Sequence, residues 1–194
     1  HLLSELRRVM PEGFQDKRVL VLGGGVIGMS ALMLLRHMEG CREAELYDLA
    51  RFRTDLAASE GARIPAAGEL APQVDGNDYA SLYAAAKYDV VLETTGVASV
   101  FANALYLVKP GGVLGCVGMT AKAEIAQKLI VTKALTVLGS SGGTGPCARA
   151  REVIARFPAS SETLLSHGYP VGQAAEAFAT ARNPEGSMKG VLSL

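Results

Sequence analysis

An excess of charge of either sign is what this sequence most plainly lacks. Its 194 residues carry 19 Lys and Arg against 19 Asp and Glu, so no overall field draws the chain to nucleic acid or to an anionic membrane. The expected ligand is therefore a small molecule. Cysteine is scarce as well: Cys41, Cys116 and Cys147 are odd in number, far apart and without a C-x-x-C pair. That pattern argues against a disulfide framework and a structural zinc, and leaves buried, reduced thiols as the expectation. Nor is a membrane span offered. Val19 to Leu35 runs 17 residues without a charge, yet it includes four glycines and opens as a strand, unlike a bilayer-crossing helix. No cleavable signal, internal repeat or low-complexity tract is legible, and the chain starts at His1, so a processed or partial sequence working in the cytoplasm is expected. This length suits one generous domain with an appendage.

Glycine is present where it carries information. Arg18 to Arg36 reads RVLVLGGGVIGMSALMLLR: an apolar strand, a tight turn, and an apolar helix free of proline. Gly23, Gly25 and Gly28 stand in G-x-G-x-x-G spacing between that strand and that helix, the arrangement of a dinucleotide fingerprint. The first glycine permits the sharp turn, the second lets a pyrophosphate approach the backbone, and the third lets helix and strand pack closely. Free amides at the helix start would face the phosphates. Asp48 ends the next apolar run, Glu43 to Tyr47, and lies 20 residues past Gly28, where a carboxylate can accept hydrogen bonds from the adenosine ribose.

Taken in order, His1 to Met10 predicts a lead-in helix broken by Pro11 and Gly13. After the opening strand and helix, Glu43 to Tyr47 is a second strand, Ala50 to Glu60 a helix ended by Gly61, and Ala62 to Ile64 a short third strand running into Pro65. The stretch to Asp78 reads as loop. A brief helix over Tyr79 to Ala86 precedes a buried fourth strand, Asp89 to Glu93; Ala98 to Val108 is helical, Gly112 to Val117 a fifth strand, and Leu135 to Leu138 a sixth. The tail offers an amphipathic helix over Val171 to Ala181 and a final strand, Gly190 to Leu194. Alternating strands and helices predict an α/β fold built on a doubly wound, six-stranded parallel sheet, the Rossmann architecture. Its carboxyl edge, where such sheets bind ligands, would carry Gly23 to Gly28, Asp48, Thr94 to Gly96, Gly118 and Gly139 to Gly143.

The segments VLVLGGGVIGMSAL, ELYDLARFR, YDVVLETTGVASVFANALYLVKPGGVLGCVGM, ALTVLGSSGG and YPVGQAAEAFATARNPEGSMKGVLSL together resemble, in order and spacing, the cofactor half of the zinc-type medium-chain alcohol, polyol and threonine dehydrogenases. The resemblance covers nearly the whole chain. It implies that Gly23, Gly25, Val26, Ile27 and Gly28 hold a pyrophosphate and that Asp48 and Arg53 flank the adenosine ribose. Thr94, Thr95, Val117, Gly118, Met119 and Ser140 would line the nicotinamide half, and Lys189 would reach the pyrophosphate. It implies a cofactor-binding domain over residues 1–160 and, over 161–194, a helix and strand that join the catalytic lobe. The family's catalytic zinc ligands and proton relay come from an N-terminal half and from a position falling just before His1, so no catalytic or metal residue is expected here. His37, near the end of the first long helix, and His167 read as structural residues.

The function expected is binding of NAD(H), with NADP disfavoured by Asp48, so that a hydride passes between the nicotinamide and a small alcohol or carbonyl substrate. Zinc would belong to the other half. Leu129 to Val131 and Leu135 to Leu138 read as β-rich runs at a sheet edge, so a homodimer is expected. Two alternatives stay open: a non-catalytic dinucleotide module or sensor, and an S-adenosylmethionine-dependent methyltransferase, which shares a glycine loop, an acid after strand two and a turn like Lys109 to Gly112. Methyltransferases usually carry an acid in the strand before the loop, where this chain has Val19 to Leu22.

Overall fold

The computed structural model describes residues 1–71, 79–142, 147–183 and 185–194. Five parallel strands form its main sheet in the order β2-β1-β3-β4-β5. A lead-in helix α1 (Leu2–Val9) precedes β1 (Arg18–Leu22), α2 (Val26–His37), β2 (Glu43–Tyr47) and α3 (Arg51–Ser59). The chain then returns past β1 through two short helices, α4 (Ala67–Leu70) and α5 (Tyr79–Ala84), to β3 (Tyr88–Glu93). From there α6 (Ala98–Leu107) leads to β4 (Val108–Cys116), and α7 (Lys128–Thr132) to the edge strand β5 (Thr136–Gly139). After α8 (Cys147–Arg156) and α9 (Pro158–Glu162), a separate parallel pair is formed by β6 (His167–Pro170) and β7 (Gly190–Ser193), with α10 (Ala174–Ala181) between them.

The central strands read as continuous apolar runs because both faces of the sheet are covered. Val19 and Val21 of β1, with Val90 and Leu92 of β3, pack with Leu6 of α1, with Met29 and Leu32 of α2 and with Ala57 of α3. Leu20 and Leu22, with Val91 and Leu114, face the other way onto Leu70 of α4, Ala104 and Leu105 of α6 and Leu129 of α7. Each such fully buried aliphatic side chain contributes about 1.5–3 kcal/mol relative to exposure. The change of face falls between α3 and α4, so the connections leaving β1 and β3 diverge and open a crevice between their carboxyl ends.

Among the described residues the sheet has five strands, not six. Ala62 to Ile64 makes only an isolated bridge, Arg63 with Glu45, because Pro65 follows with no donor and restricts the residue before it. Leu129 to Val131 is a turn of helix, not a strand: Leu129 and Lys133, four apart, are 0% and 1% exposed, and that helical burial outweighs the β-branched character of Ile130 and Val131. The expected loop after Pro65 holds the single turn α4, whose Ala66 amide donates to the Glu69 carboxylate at 3.0 Å. Residues 72–78 of that loop, and Gly143, lie outside the described residues. His167 to Pro170, with no strand pattern of its own, pairs with β7, and a 3₁₀ turn, Val171–Gln173, precedes α10. Cys41 is buried whereas Cys116 is only partly covered. Among the described residues no helix is long and apolar enough to cross a membrane.

One buried charge helps fix the sheet's outer part. Lys133 sits at the carboxyl end of α6 and donates from Nζ to the carbonyls of Leu105, Tyr106 and Val108 at 3.1, 2.8 and 3.0 Å, satisfying acceptors that the helix leaves unpaired. Burial pushes its ammonium down to about 8, against the pull of those carbonyls. Because the folded chain holds this proton more weakly than the unfolded one, the unfolded state binds more protons between about pH 8 and 10.5, and stability rises with pH across that window. Urea denaturation should therefore show the wild type gaining about 1–3 kcal/mol on Lys133→Met between pH 8 and pH 10.5. An unchanged difference between the two proteins would mean that the lysine is not perturbed.

Candidate functional site

The site is assembled from loops that leave the carboxyl ends of β1, β2, β3 and β4. At the end of β1, the Gly23 amide donates to Tyr47 O at 2.9 Å and the Thr94 amide donates to Leu22 O at 3.0 Å, so the turn is tied to both flanking strands. Gly23 has φ +99°, and a Cβ there would stand 2.8 Å from Thr94 Oγ1. A Cβ on Gly28 would stand 1.9 Å from Gly23 O, so the first turn of α2 lies flush on the strand end. Around Gly25 the reverse holds: nothing lies within 4 Å of a Cβ placed there. Gly25 is the N-cap of α2 and no side chain caps it. The helix therefore presents its positive, donor-rich end to open space, with Val26 partly buried and Ile27 exposed beside it.

Asp48 closes one side of this space. Its side chain is 11% exposed; Oδ2 accepts from the Gly24 amide at 2.6 Å and Oδ1 from the Ala50 amide at 2.8 Å. A carboxylate has about four acceptor positions, so two backbone bonds leave room for a vicinal diol. Arg53 Nη1 lies 3.4 Å from Oδ2, and Arg53 Nε is buried without a hydrogen-bond partner among the described residues. Such an orphan donor beside an open cradle fits an oxygen-rich ligand.

The opposite side is built by β3 and β4. Thr94 Oγ1 lies 2.9 Å from Leu22 O and 3.1 Å from Gly23 O, wedged beneath the glycine turn. Glu93, which the motif reading passes over, is 1% exposed. Its Oε1 accepts from the Thr95 amide at 2.7 Å, from the Gly96 amide at 3.0 Å and from the Thr95 hydroxyl. The main-chain oxygen of Glu93 accepts from the Val117 and Gly118 amides at 2.9 and 3.1 Å. A Cβ on Gly118 would stand 2.1 Å from Gly96 N, and Met119 next to it is 88% exposed. Ser140 joins the same edge through its amide, 2.9 Å from Cys116 O. The signal for Glu93 was legible as a lone acid closing an apolar run directly before Thr-Thr-Gly.

Lys189 is not drawn into this network. It is exposed, its carbonyl accepts from Ser166 and its side chain makes no hydrogen bond among the described residues, although Met188 beside it enters the core cluster that contains Met29. His37 lies 2.8 Å from Glu60 and stacks on Phe157, while His167 Nδ1 lies 2.9 Å from Ser166 Oγ. The described residues contain no cluster of three or more His, Cys, Asp or Glu able to hold a metal. Burial pushes the thiols of Cys41 and Cys116 up to about 11, which leaves neither poised as a nucleophile at neutral pH.

The family model described as zinc-binding dehydrogenase matches residues 26–157. Mouse (Mus musculus) sorbitol dehydrogenase is 30% identical over 173 residues, which is 87% of this chain and 47% of that protein. L-idonate 5-dehydrogenase from Escherichia coli superposes with a TM-score of 0.78 at 26% identity, over 93% of this chain and 51% of that one. A zinc-binding dehydrogenase from Sinorhizobium meliloti bound to NADP gives 0.79 at 25% identity, over 100% and 57%. The chain thus spans about half the length of these relatives.

Proposed function

We propose that this chain, which belongs to the zinc-binding dehydrogenase family, binds a nicotinamide dinucleotide and presents it for hydride transfer to or from an alcohol or carbonyl. The observation that carries this reading is the uncapped start of α2 over the open Gly25, with the Asp48 carboxylate at its rim. In this assignment Gly23, Gly25, Val26, Ile27 and Gly28 receive the pyrophosphate on main-chain amides, each anion contact at the helix end being worth about 0.3–1 kcal/mol. Asp48 accepts from the adenosine ribose, and Arg53 turns its unpartnered Nε toward a ribose or phosphate oxygen. Thr94, Thr95, Val117, Gly118, Met119 and Ser140 border the nicotinamide half, and Lys189 reaches the pyrophosphate only if its exposed side chain swings toward the loop. A bound nicotinamide supplies the hydride acceptor or donor; this chain's part is to hold it in one orientation. Residues 1–160 make the cofactor domain, and 161–194 an appendage. The family match leaves no place for the methyltransferase alternative.

The choice between NAD and NADP rests on Asp48. A 2′-phosphate about 4 Å from this carboxylate is repelled by on the order of 4 kcal/mol at an effective dielectric near 20. Solvent at the rim lowers that, and a residual of about 1–2 kcal/mol still means roughly tenfold or more in affinity. The Sinorhizobium neighbour carries NADP, so the preference is argued from this chain's own acid. Calorimetry should find one NADH site per chain and weaker NADPH binding at low salt. Asp48→Ser should weaken NADH about tenfold and improve NADPH as Arg51 and Arg53 pair with the phosphate. Equal affinities in the wild type would contradict the role given to Asp48.

We also assign a homodimer, joined along β5. Among the described residues that strand pairs with β4 alone and leaves its outer edge open, with Val137 exposed, and an open edge is a template for a second copy. Sedimentation at high micromolar concentration should give twice the chain mass; a monomer there would refute the assembly.

A further inference from the structure

Glu93 is a buried carboxylate that the assignment above leaves without a task. Its side chain does not need to be acidic to fill space at the end of β3, where Val90, Val91 and Leu92 are simply apolar. Burying a carboxylate costs free energy unless its oxygens are well supplied with donors. Here the donors all belong to one turn: Thr95 N, Gly96 N and the Thr95 hydroxyl converge on Oε1, and the same hydroxyl oxygen accepts from the Val97 amide at 3.0 Å. The second oxygen, Oε2, is 2.4 Å from where a Cβ on Gly118 would stand. The two turns also press directly on each other, since a Cβ on Gly96, at φ +71°, would meet Met119 O at 2.8 Å. One side chain thus anchors the β3 turn and sets how closely the β4 turn can approach it.

We infer that Glu93 is a positioning residue for the nicotinamide half of the site: it fixes the Thr94–Gly96 and Gly118–Met119 turns relative to each other and leaves the adenosine half untouched. The inference rests on the dinucleotide reading and adds a division of labour to it. Asp48, Gly24 and Ala50 form one hydrogen-bonded unit across the turns after β1 and β2, Glu93, Thr95 and Gly96 another at the end of β3, and no hydrogen bond among the described residues joins the two carboxylates. Glu93 touches no reacting atom in this role. It acts through the main chain of the two turns.

The test compares two ligands on the full chain, NADH and ADP, because ADP occupies only the adenosine and phosphate part. In Glu93→Ala the turn loses its anchor, and NADH binding should weaken at least tenfold while ADP stays within twofold of the wild type. The fluorescence change of NADH on binding, which reports the nicotinamide ring, should shrink in the same variant. Glu93→Gln keeps one oxygen to accept from the Thr95 and Gly96 amides but loses the charge, so its NADH loss should be smaller, about three- to fivefold, with ADP again within twofold; that difference between the ligands carries the test should the alanine variant not fold. If NADH binds both variants as it binds the wild type, the inference is overturned. Equal weakening of ADP and NADH overturns it too, since Glu93 would then serve the fold as a whole. A wild type that binds neither ligand refutes the dinucleotide reading itself, a result distinct from both.

Discussion

The contact on which the rest depends is the one between Gly28 and the carbonyl of Gly23, too close for any Cβ to fit between them. It seats the first turn of α2 directly on the end of β1, and from that seat the uncapped amides of the helix, the Asp48 carboxylate just after β2 and the threonines after β3 all come to face one crevice. A longer side chain at residue 28 would lift the helix and open the fan of donors, whatever else in the site remained intact. The parallel sheet sets where this seat lies, since its register places Leu22 beside Tyr47 on one side and Glu93 on the other at the carboxyl edge.

The two ends of the sheet treat their charges differently. Toward the start of the strands, Glu45 is buried and saturated by side chains: Arg18 lies 2.7 Å from Oε1, Arg63 2.6 Å and the Tyr88 hydroxyl 2.8 Å from Oε2. Burial and that neighbouring carboxylate raise the Tyr88 phenol above its ordinary range, keeping it a donor. The acceptor positions of this carboxylate are thus taken by side chains of β1, β3 and the segment after α3. At the carboxyl edge, Asp48 and Glu93 each accept from two main-chain amides, with Arg53 and the Thr95 hydroxyl beside them, an arrangement that ties loops in place. Asp48 keeps acceptor positions open to the crevice, while Glu93 is turned inward.

Much of this was legible in the sequence. The glycine spacing and Asp48 could be read because each glycine answers a local demand: a positive φ at Gly23, an approach without Cβ at Gly28, open space at Gly25. The two central strands could be read because burial on both faces leaves uninterrupted Val and Leu. What escaped was decided by neighbours far along the chain. Leu129 to Val131 is helical because the sheet edge buries residues 129 and 133 together, a spacing of four that a β-rich composition hides. His167 to Pro170 is a strand because β7 comes back to it from 20 residues away. Arg63 makes one bridge and no strand because proline stops it. Glu93 was passed over as the last residue of a buried strand, because the acid closing that run gives no sign of the turn donors, the Thr95 and Gly96 amides and the Thr95 hydroxyl, that meet it only in the fold.

The central claim is that the carboxyl edge of the five-stranded sheet, and no other surface, receives a nicotinamide dinucleotide. Backbone amide chemical shifts of the isotope-labelled chain, followed on titration with NADH, test it most directly. The account predicts the largest changes at Gly23 to Gly28, at Asp48 and at the turns of Thr94–Gly96 and Val117–Met119, with the amides around Arg18, Glu45, Arg63 and Tyr88 unmoved. Changes centred on that second group, or none at saturating NADH, would contradict it.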